Sequence, residues 1–366
     1  MNEAVSRRRF LTSTGAATAV VVTSTALSRR LAGAPAAGGK IRVGQIGVGH
    51  AHASGKMGSY RRSSEYEVVG IVEPDPELRA RAEKQDVYRG LTWMTQEELL
   101  NVPGLKTVAI ETRVRDLLAA AEASVDAGMH IHLDKPPGSS LPRFRRILNA
   151  ATKKRLVVQM GYMYRYNPAV VLLRDFLEKG WLGEVFEIHT VMSKTISAAS
   201  RRELSEYPGG TMFELGCHII DLAVGVLGRP DKVTAYTRHS SPHDDTLVDN
   251  MLAVFEYPRA IASVKSSVQE VSGFARRHFV VCGTEGTFHI QPLDRPSVRV
   301  ALSQARGKYV KGYQDIALPK YTRYVDDATD LAQIIRGEKA TDFPPEHDDA
   351  VQEAVLKASR LPLNGV

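Results

Sequence analysis

The sequence predicts an α/β protein in two parts. A doubly wound parallel sheet comes first, and an α+β region with a large, open, mostly antiparallel sheet follows. Three observations carry this. A β-rich run at 40–52 ends in two glycines before a helix, strand-like and helical patterns alternate from there to about residue 160, and from residue 183 strand-like runs follow one another with turn residues between them. At 366 residues the chain exceeds what one core usually organises.

The opening run, KIRVGQIGVGHAH, is a strand feeding a tight turn at Gly47 and Gly49. Glycines there let backbone N–H groups approach a pyrophosphate, and the helix end adds partial positive charge. This is the start of a Rossmann dinucleotide-binding domain, expected over 37–160, with His50 and Thr112 counted beside the two glycines as cofactor residues. His52 stands where the third glycine of G-x-G-x-x-G is usual. The second strand, YEVVGIVEPDP, ends at Glu73, 26 positions after Gly47. A carboxylate at that spacing suits a ribose 2′-hydroxyl and repels a 2′-phosphate, so NAD is expected over NADP.

LKTVAIET (105–112) is the third strand, followed by a helix at 114–128 closed by Gly128. MHIHLDKPPG (129–138) is the fourth strand and carries Lys135 at its carboxyl end, where ligands of such sheets bind. A helix at 143–155 and a further strand from 156 complete the alternation.

The second region, expected over 161–345, holds strands at 183–193, 231–240, 249–258, 260–271 and in the pair FVVCG and GTFHI, with 298–303 weaker. The segment 210–228, GTMFELGCHIIDLAVGVLG, is predicted as an apolar α-helix carrying Glu214, His218 and Asp221 at i, i+4 and i+7, on one face. Amphipathic helices close the chain at 321–337 and 347–361; the tail, 346–366, is expected to return to the first domain. Without an outside ligand signature, no metal site is expected.

Composition is that of an ordinary globular protein, 43% hydrophobic and 24% charged. The formal charge is +7, but five arginines and Glu3 in the first 36 residues account for +4 of it, so no nucleic-acid partner is implied. That segment reads as a twin-arginine export signal: Arg7 and Arg8 before Phe10 and Leu11, an Ala/Val/Thr stretch, then Ala34-Pro35-Ala36. Seven Ser or Thr within 10–27 argue against a spanning anchor, though an uncleaved signal would leave the protein tethered. The export machinery is thus an expected partner and a periplasmic or extracytoplasmic location is expected. That route carries folded proteins already loaded with cofactor, which implies a tightly bound one. The two cysteines, Cys217 and Cys282, are expected to be buried free thiols.

In order, Gly47-x-Gly49, Asp134-Lys135-Pro136, Tyr164-Arg-Tyr-Asn-Pro168, Glu214-x-Gly-x-His218-x-x-Asp221 and the pair within Phe279–Ile290 resemble the Gfo/Idh/MocA oxidoreductases over about residues 40 to 361. The resemblance implies an NAD(P)-dependent dehydrogenase acting on a sugar or polyol, forming a homodimer or tetramer. It implies that Lys135 lies beside nicotinamide and substrate, that His218 is the catalytic base with Glu214 its acidic neighbour, and that Arg165 and Asn167 lie near the substrate. Departures are Asp134 for Glu, Glu214 for Asp, His52 for a small residue, and Arg113 and Leu117 where Pro and His are usual.

The chemistry is consistent with those roles. Neutral imidazole can take a hydroxyl proton as the carbon gives up hydride, and an ammonium stabilises the developing alkoxide. Glu214, one turn from His218, would orient the ring, and Asp221 would be structural. Two other readings remain: a glycoside hydrolase working by transient oxidation, as some exported relatives do, and a non-catalytic sugar or cofactor sensor, which the Lys135/His218 pair argues against.

Overall fold

A computed structural model describes residues 39 to 364. The proposed export signal therefore lies outside the described residues. The first sheet holds β1 (Ile41–Ile46), β2 (Tyr66–Val72), β3 (Trp93–Met94), β4 (Leu105–Ile110), β5 (His130–Leu133) and β6 (Val158–Met160). They lie in the order β3-β2-β1-β4-β5-β6, all parallel. Strand order reverses between β1 and β4, which opens a crevice at their carboxyl ends, and Gly47 starts the turn there. Its φ is +90°, and a Cβ on it would sit 2.5 Å from the backbone of Thr112, so only glycine fits where β1 and β4 hand over.

The second sheet has eight strands: β7 (Val185–Ser193), β8 (Lys232–Arg238), β9 (Asn250–Glu256), β10 (Ile261–Ser267), β11 (His278–Gly283), β12 (Gly286–Ile290), β13 (Val298–Leu302) and β14 (Gly312–Ile316). Their order is β14-β13-β12-β11-β7-β10-β9-β8. Only β7 and β10 pair in parallel; every other pairing is antiparallel. Inward residues such as Ile188, Phe255, Val264, Phe279 and Phe288 are fully buried and meet the segment 212–227. On the other face Tyr236, Leu252, Ile261 and Tyr313 stay exposed.

Two expectations need correction. The return to the first sheet begins earlier than residue 346. The helix Asp326–Ile335 already lies under it, because its small stripe of Ala328 and Ala332 covers Ile41, Val43 and Tyr66, and Tyr66 donates to the Ala328 carbonyl. The helix Pro345–Ala358 then wedges between the helices Leu141–Lys153 and Cys217–Leu227, tied by Arg145 to Asp349 and Glu353 and by Gln352 to the Gly138 carbonyl.

Nor is 210–228 one α-helix. Met212–Gly216 is a π-turn, and the α-helix starts only at Cys217. The wider i→i+5 turn moves Glu214 out of line with His218 and Asp221. Cys217 and Cys282 are both free, but Cys282, on a strand of the open sheet, is only half-buried.

Candidate active site

The glycine turn leads into the helix Ala53–Arg62, whose first-turn amides receive no side-chain cap. Glu73 braces the turn from β2: Oε2 accepts the Val48 N–H at 2.8 Å and Oε1 the Asp75 N–H at 3.0 Å. Beyond the ends of β1, β2 and β4 lies a cavity of about 1010 Å³ lined by Glu73, Leu78, Trp93, Thr112 and Arg113. On the other side of Gly49 a second cavity, about 450 Å³, is lined by Arg113, Arg115, Gly138, Ser139, Arg143 and Tyr207. Two hollows that share Leu78, Arg113 and Arg115, the second reaching Gly49, suit an elongated anionic dinucleotide. Glu73 and Thr112 line the larger hollow and Gly49 the smaller, and Gly47 forms the turn at the end of β1. His50 lines neither: it is buried behind the turn, with Nε2 3.0 Å from the Lys135 carbonyl.

Lys135 leaves the end of β5 and is 1% exposed. Its Nζ donates to the Glu214 carbonyl at 2.9 Å and lies 3.6 Å from Glu214 Oε1. Burial works against its charge, but Cys217, Glu214 and Asp134 outweigh that and raise its pKa, so it is an ammonium. Glu214 is held below the usual carboxylate range: burial opposes its charge, and Lys135 and Lys194 more than compensate.

His218 is brought to the same place. Burial, then Lys135, push its pKa well down, so the ring is neutral. Tyr164 meets it edge-on, with ring centroids 5.2 Å apart, and Tyr164 is itself fixed by donating to Asp294 at 2.7 Å. His218 Nδ1 is buried with no hydrogen-bond partner among the described residues. The expected Glu214–His218 hydrogen bond is therefore absent. The π-turn separates the two side chains, and Lys135 and Lys194 draw the carboxylate away.

Arg165 and Asn167 do not join this group. Arg165 is 2% exposed and ion-paired to Asp221 (2.6 Å) and Asp348 (2.6 Å). Asn167 caps the helix Pro168–Glu178 and donates to the Leu293 carbonyl. Both are interior fasteners, and their polar groups are already engaged. Asp221 is structural, as expected. Sequence reasoning missed Tyr207 and Lys194, which close the site from the second region, and neither carries a local motif that could have marked it.

Family models match almost every described element around this site. Residues 41–162 match the oxidoreductase family with an NAD-binding Rossmann fold, and residues 170–289 match the GFO/IDH/MocA C-terminal domain. The chain belongs to the GFO/IDH/MocA oxidoreductase family. It is accordingly an NAD(P)-binding oxidoreductase. Trans-1,2-dihydrobenzene-1,2-diol dehydrogenase of Bos taurus is 25% identical over 226 residues, 61% of this chain and 65% of that enzyme. The Escherichia coli oxidoreductase YdgJ is 25% identical across 71% of this chain and 74% of its own length. The levoglucosan dehydrogenase of Pseudarthrobacter phenanthrenivorans is 26% identical across 45% of this chain and 44% of its own. Among solved structures, UDP-N-acetylglucosamine 3-dehydrogenase of Acidithiobacillus ferrooxidans shares the fold, with a TM-score of 0.72 and 18% identity over 88% of this chain and 98% of that one.

Proposed function

We propose that the protein is an exported, NAD-dependent dehydrogenase that oxidises a carbinol of a sugar or polyol, with His218 as the base. The observation that carries this is a neutral, unpartnered imidazole and a buried ammonium in one site, with the ammonium anchored on the Glu214 carbonyl. A bound nicotinamide supplies the hydride acceptor. His218 takes the hydroxyl proton, Lys135 stabilises the alkoxide charge, and the Glu214 carbonyl and carboxylate aim Lys135. Burial of both groups excludes water from the proton transfer.

NAD is favoured over NADP because Glu73 presents its carboxylate to the larger cavity. The names of the levoglucosan and UDP-N-acetylglucosamine dehydrogenases support a carbohydrate-like substrate. The exposed Tyr236, Leu252, Ile261 and Tyr313 on the open sheet support docking of a second copy there. Export rests on the pattern of residues 1–36.

The test is to purify the protein from the exported fraction, release and identify its bound nucleotide, and screen sugars and polyols for reduction of it. NADH accumulating with a sugar supports the proposal. Glycoside cleavage without net NADH would replace it with redox-assisted hydrolysis.

A further inference from the structure

Behind the glycine turn three ligating side chains converge on one point. His50 Nδ1 lies 3.0 Å from Asp134 Oδ2, and His52 Nδ1 lies 3.1 Å from the same oxygen. The donor atoms of all three lie within 4.8 Å of one another. His50 and Asp134 are buried, and the His52 side chain is 14% exposed.

Both ring nitrogens of His50 are engaged. Nε2 faces the carbonyl oxygen of Lys135 at 3.0 Å, so Nε2 carries the proton. The backbone N–H of His52 reaches Nδ1 at 3.3 Å. Nδ1 also lies 3.0 Å from Asp134 Oδ2, a separation at which the two atoms hold either a shared proton or a metal cation between them. Glu111, at 0% exposure, brings Oε2 to 4.0 Å from the same Nδ1, and neither of its oxygens has a hydrogen-bond partner among the described residues. Two buried carboxylates, Asp134 and Glu111, thus lie against the two imidazoles. Lys135 spends its ammonium on Glu214, and Lys56 is paired with Asp327.

We propose that His50, His52 and Asp134 bind one divalent transition-metal ion, with Glu111 as the adjacent fourth donor. Imidazole nitrogens mixed with carboxylate oxygens suit Zn²⁺ and its first-row neighbours and disfavour Mg²⁺ and Ca²⁺. A ligating imidazole that donates its other N–H to a backbone carbonyl, as His50 does to Lys135, is the usual support of such a ligand. A dication offsets the two carboxylates. It also fastens the glycine turn, which carries both histidines, to the residue preceding Lys135. The ion is therefore a clamp that positions the turn and Lys135. It takes no part in hydride transfer, and the site stands whether or not the dehydrogenase reading does.

The metal content of the untagged full-length protein tests this directly. By mass spectrometry, the wild type is expected to hold about one equivalent of a first-row metal through dialysis. Removal by a strong chelator lowers its melting temperature, and Co²⁺ loaded in its place gives a visible d–d absorption band. His52→Ala and Asp134→Asn each lose the metal, whereas His218→Leu, which leaves the donors intact, keeps it. If wild type holds under about a tenth of an equivalent even after incubation with Zn²⁺, Ni²⁺, Co²⁺ and Mn²⁺, the proposal fails and the cluster shares a proton instead. Retention of full metal by His52→Ala or Asp134→Asn also overturns it. Should those variants not fold, the wild-type content and the Co²⁺ spectrum still decide.

Discussion

The ammonium of Lys135 ends on the backbone carbonyl of Glu214, 2.9 Å away, so a strand end of the first sheet is latched to the π-turn of the second region. A latch made through a main-chain oxygen survives changes to the Glu214 side chain, whereas changing the lysine removes both the latch and the charge. Lys135→Met is expected to lower kcat by a hundredfold to a thousandfold, about 2.7–4 kcal/mol, with bound nucleotide retained. Lys135→Arg is not expected to rescue it, because a planar fork cannot place one compact charge at the same point. Glu214→Gln should cost less than either. Steady-state kinetics with nucleotide quantified per chain would show it, and full turnover in Lys135→Met would remove the lysine from the mechanism.

His218 gives a contrasting signature. Its buried Nδ1 has no partner among the described residues, and such a group costs the fold about 1–3 kcal/mol. Replacing the ring with leucine should therefore leave the melting temperature unchanged or raise it, while turnover falls by about 10²–10⁴. Calorimetry beside kinetics separates the roles: a variant that is less stable yet active would make His218 a core residue.

Arg165 belongs to the interior, and its loss should act on stability. Removing one member of a buried ion pair costs roughly 3–5 kcal/mol, so Arg165→Met is expected to lose that much with KM for substrate little changed. The two carboxylates on Arg165 differ with pH. Burial opposes the charge on Asp221, yet Arg165 outweighs it and holds its pKa below 3.8. Its stabilising contribution is thus present above that pH and is lost as pH falls through the folded value. Burial raises the pKa of Asp348 above 3.8, against the pull of Arg165, so its ionisation costs stability as pH rises through that range. Asp221→Asn should accordingly be costly at pH 7 and progressively less so as pH falls below 3.8, and Asp348→Asn should cost less at pH 7. Denaturation midpoints across pH would reveal equal penalties if the assignment were wrong.

The parts legible in the sequence are those dictated by local pattern. Gly47 has to be glycine because β1 and β4 leave no room for a Cβ, and the alternation of strands and helices dictates the parallel sheet. The motifs at Lys135 and His218 were sufficient to bring those two residues into one site. What could not be read depends on distant partners. Helical periodicity put Glu214 and His218 in register, but the π-turn shifts one against the other. Arg165 looked available for substrate because Asp348, 183 residues on, carries no local mark of its pairing. The two-residue strand β3, and the docking of the helix Asp326–Ile335 under the first sheet though not the helix itself, were likewise invisible until their neighbours were in place.

Glu73 offers the sharpest test of the cofactor reading. Each of its carboxylate oxygens already accepts one backbone N–H of the surrounding turns, at 2.8 and 3.0 Å, and still has lone pairs free toward the larger cavity. The side chain can therefore hold the turn and also discriminate at the ribose. The two tasks separate by comparing nucleotides. Loss of the brace weakens NAD and NADP alike, whereas loss of the charge penalises NAD and relieves the repulsion of a 2′-phosphate. Arg79 and Arg113 line the same cavity and would then be left to attract that phosphate. Glu73→Ser is expected to weaken NAD about tenfold, some 1.4 kcal/mol, while NADP binding holds or tightens, so that the ratio of the two dissociation constants shifts toward NADP. Equal weakening of both nucleotides by titration would reduce Glu73 to a brace and leave the choice between NAD and NADP to the arginines.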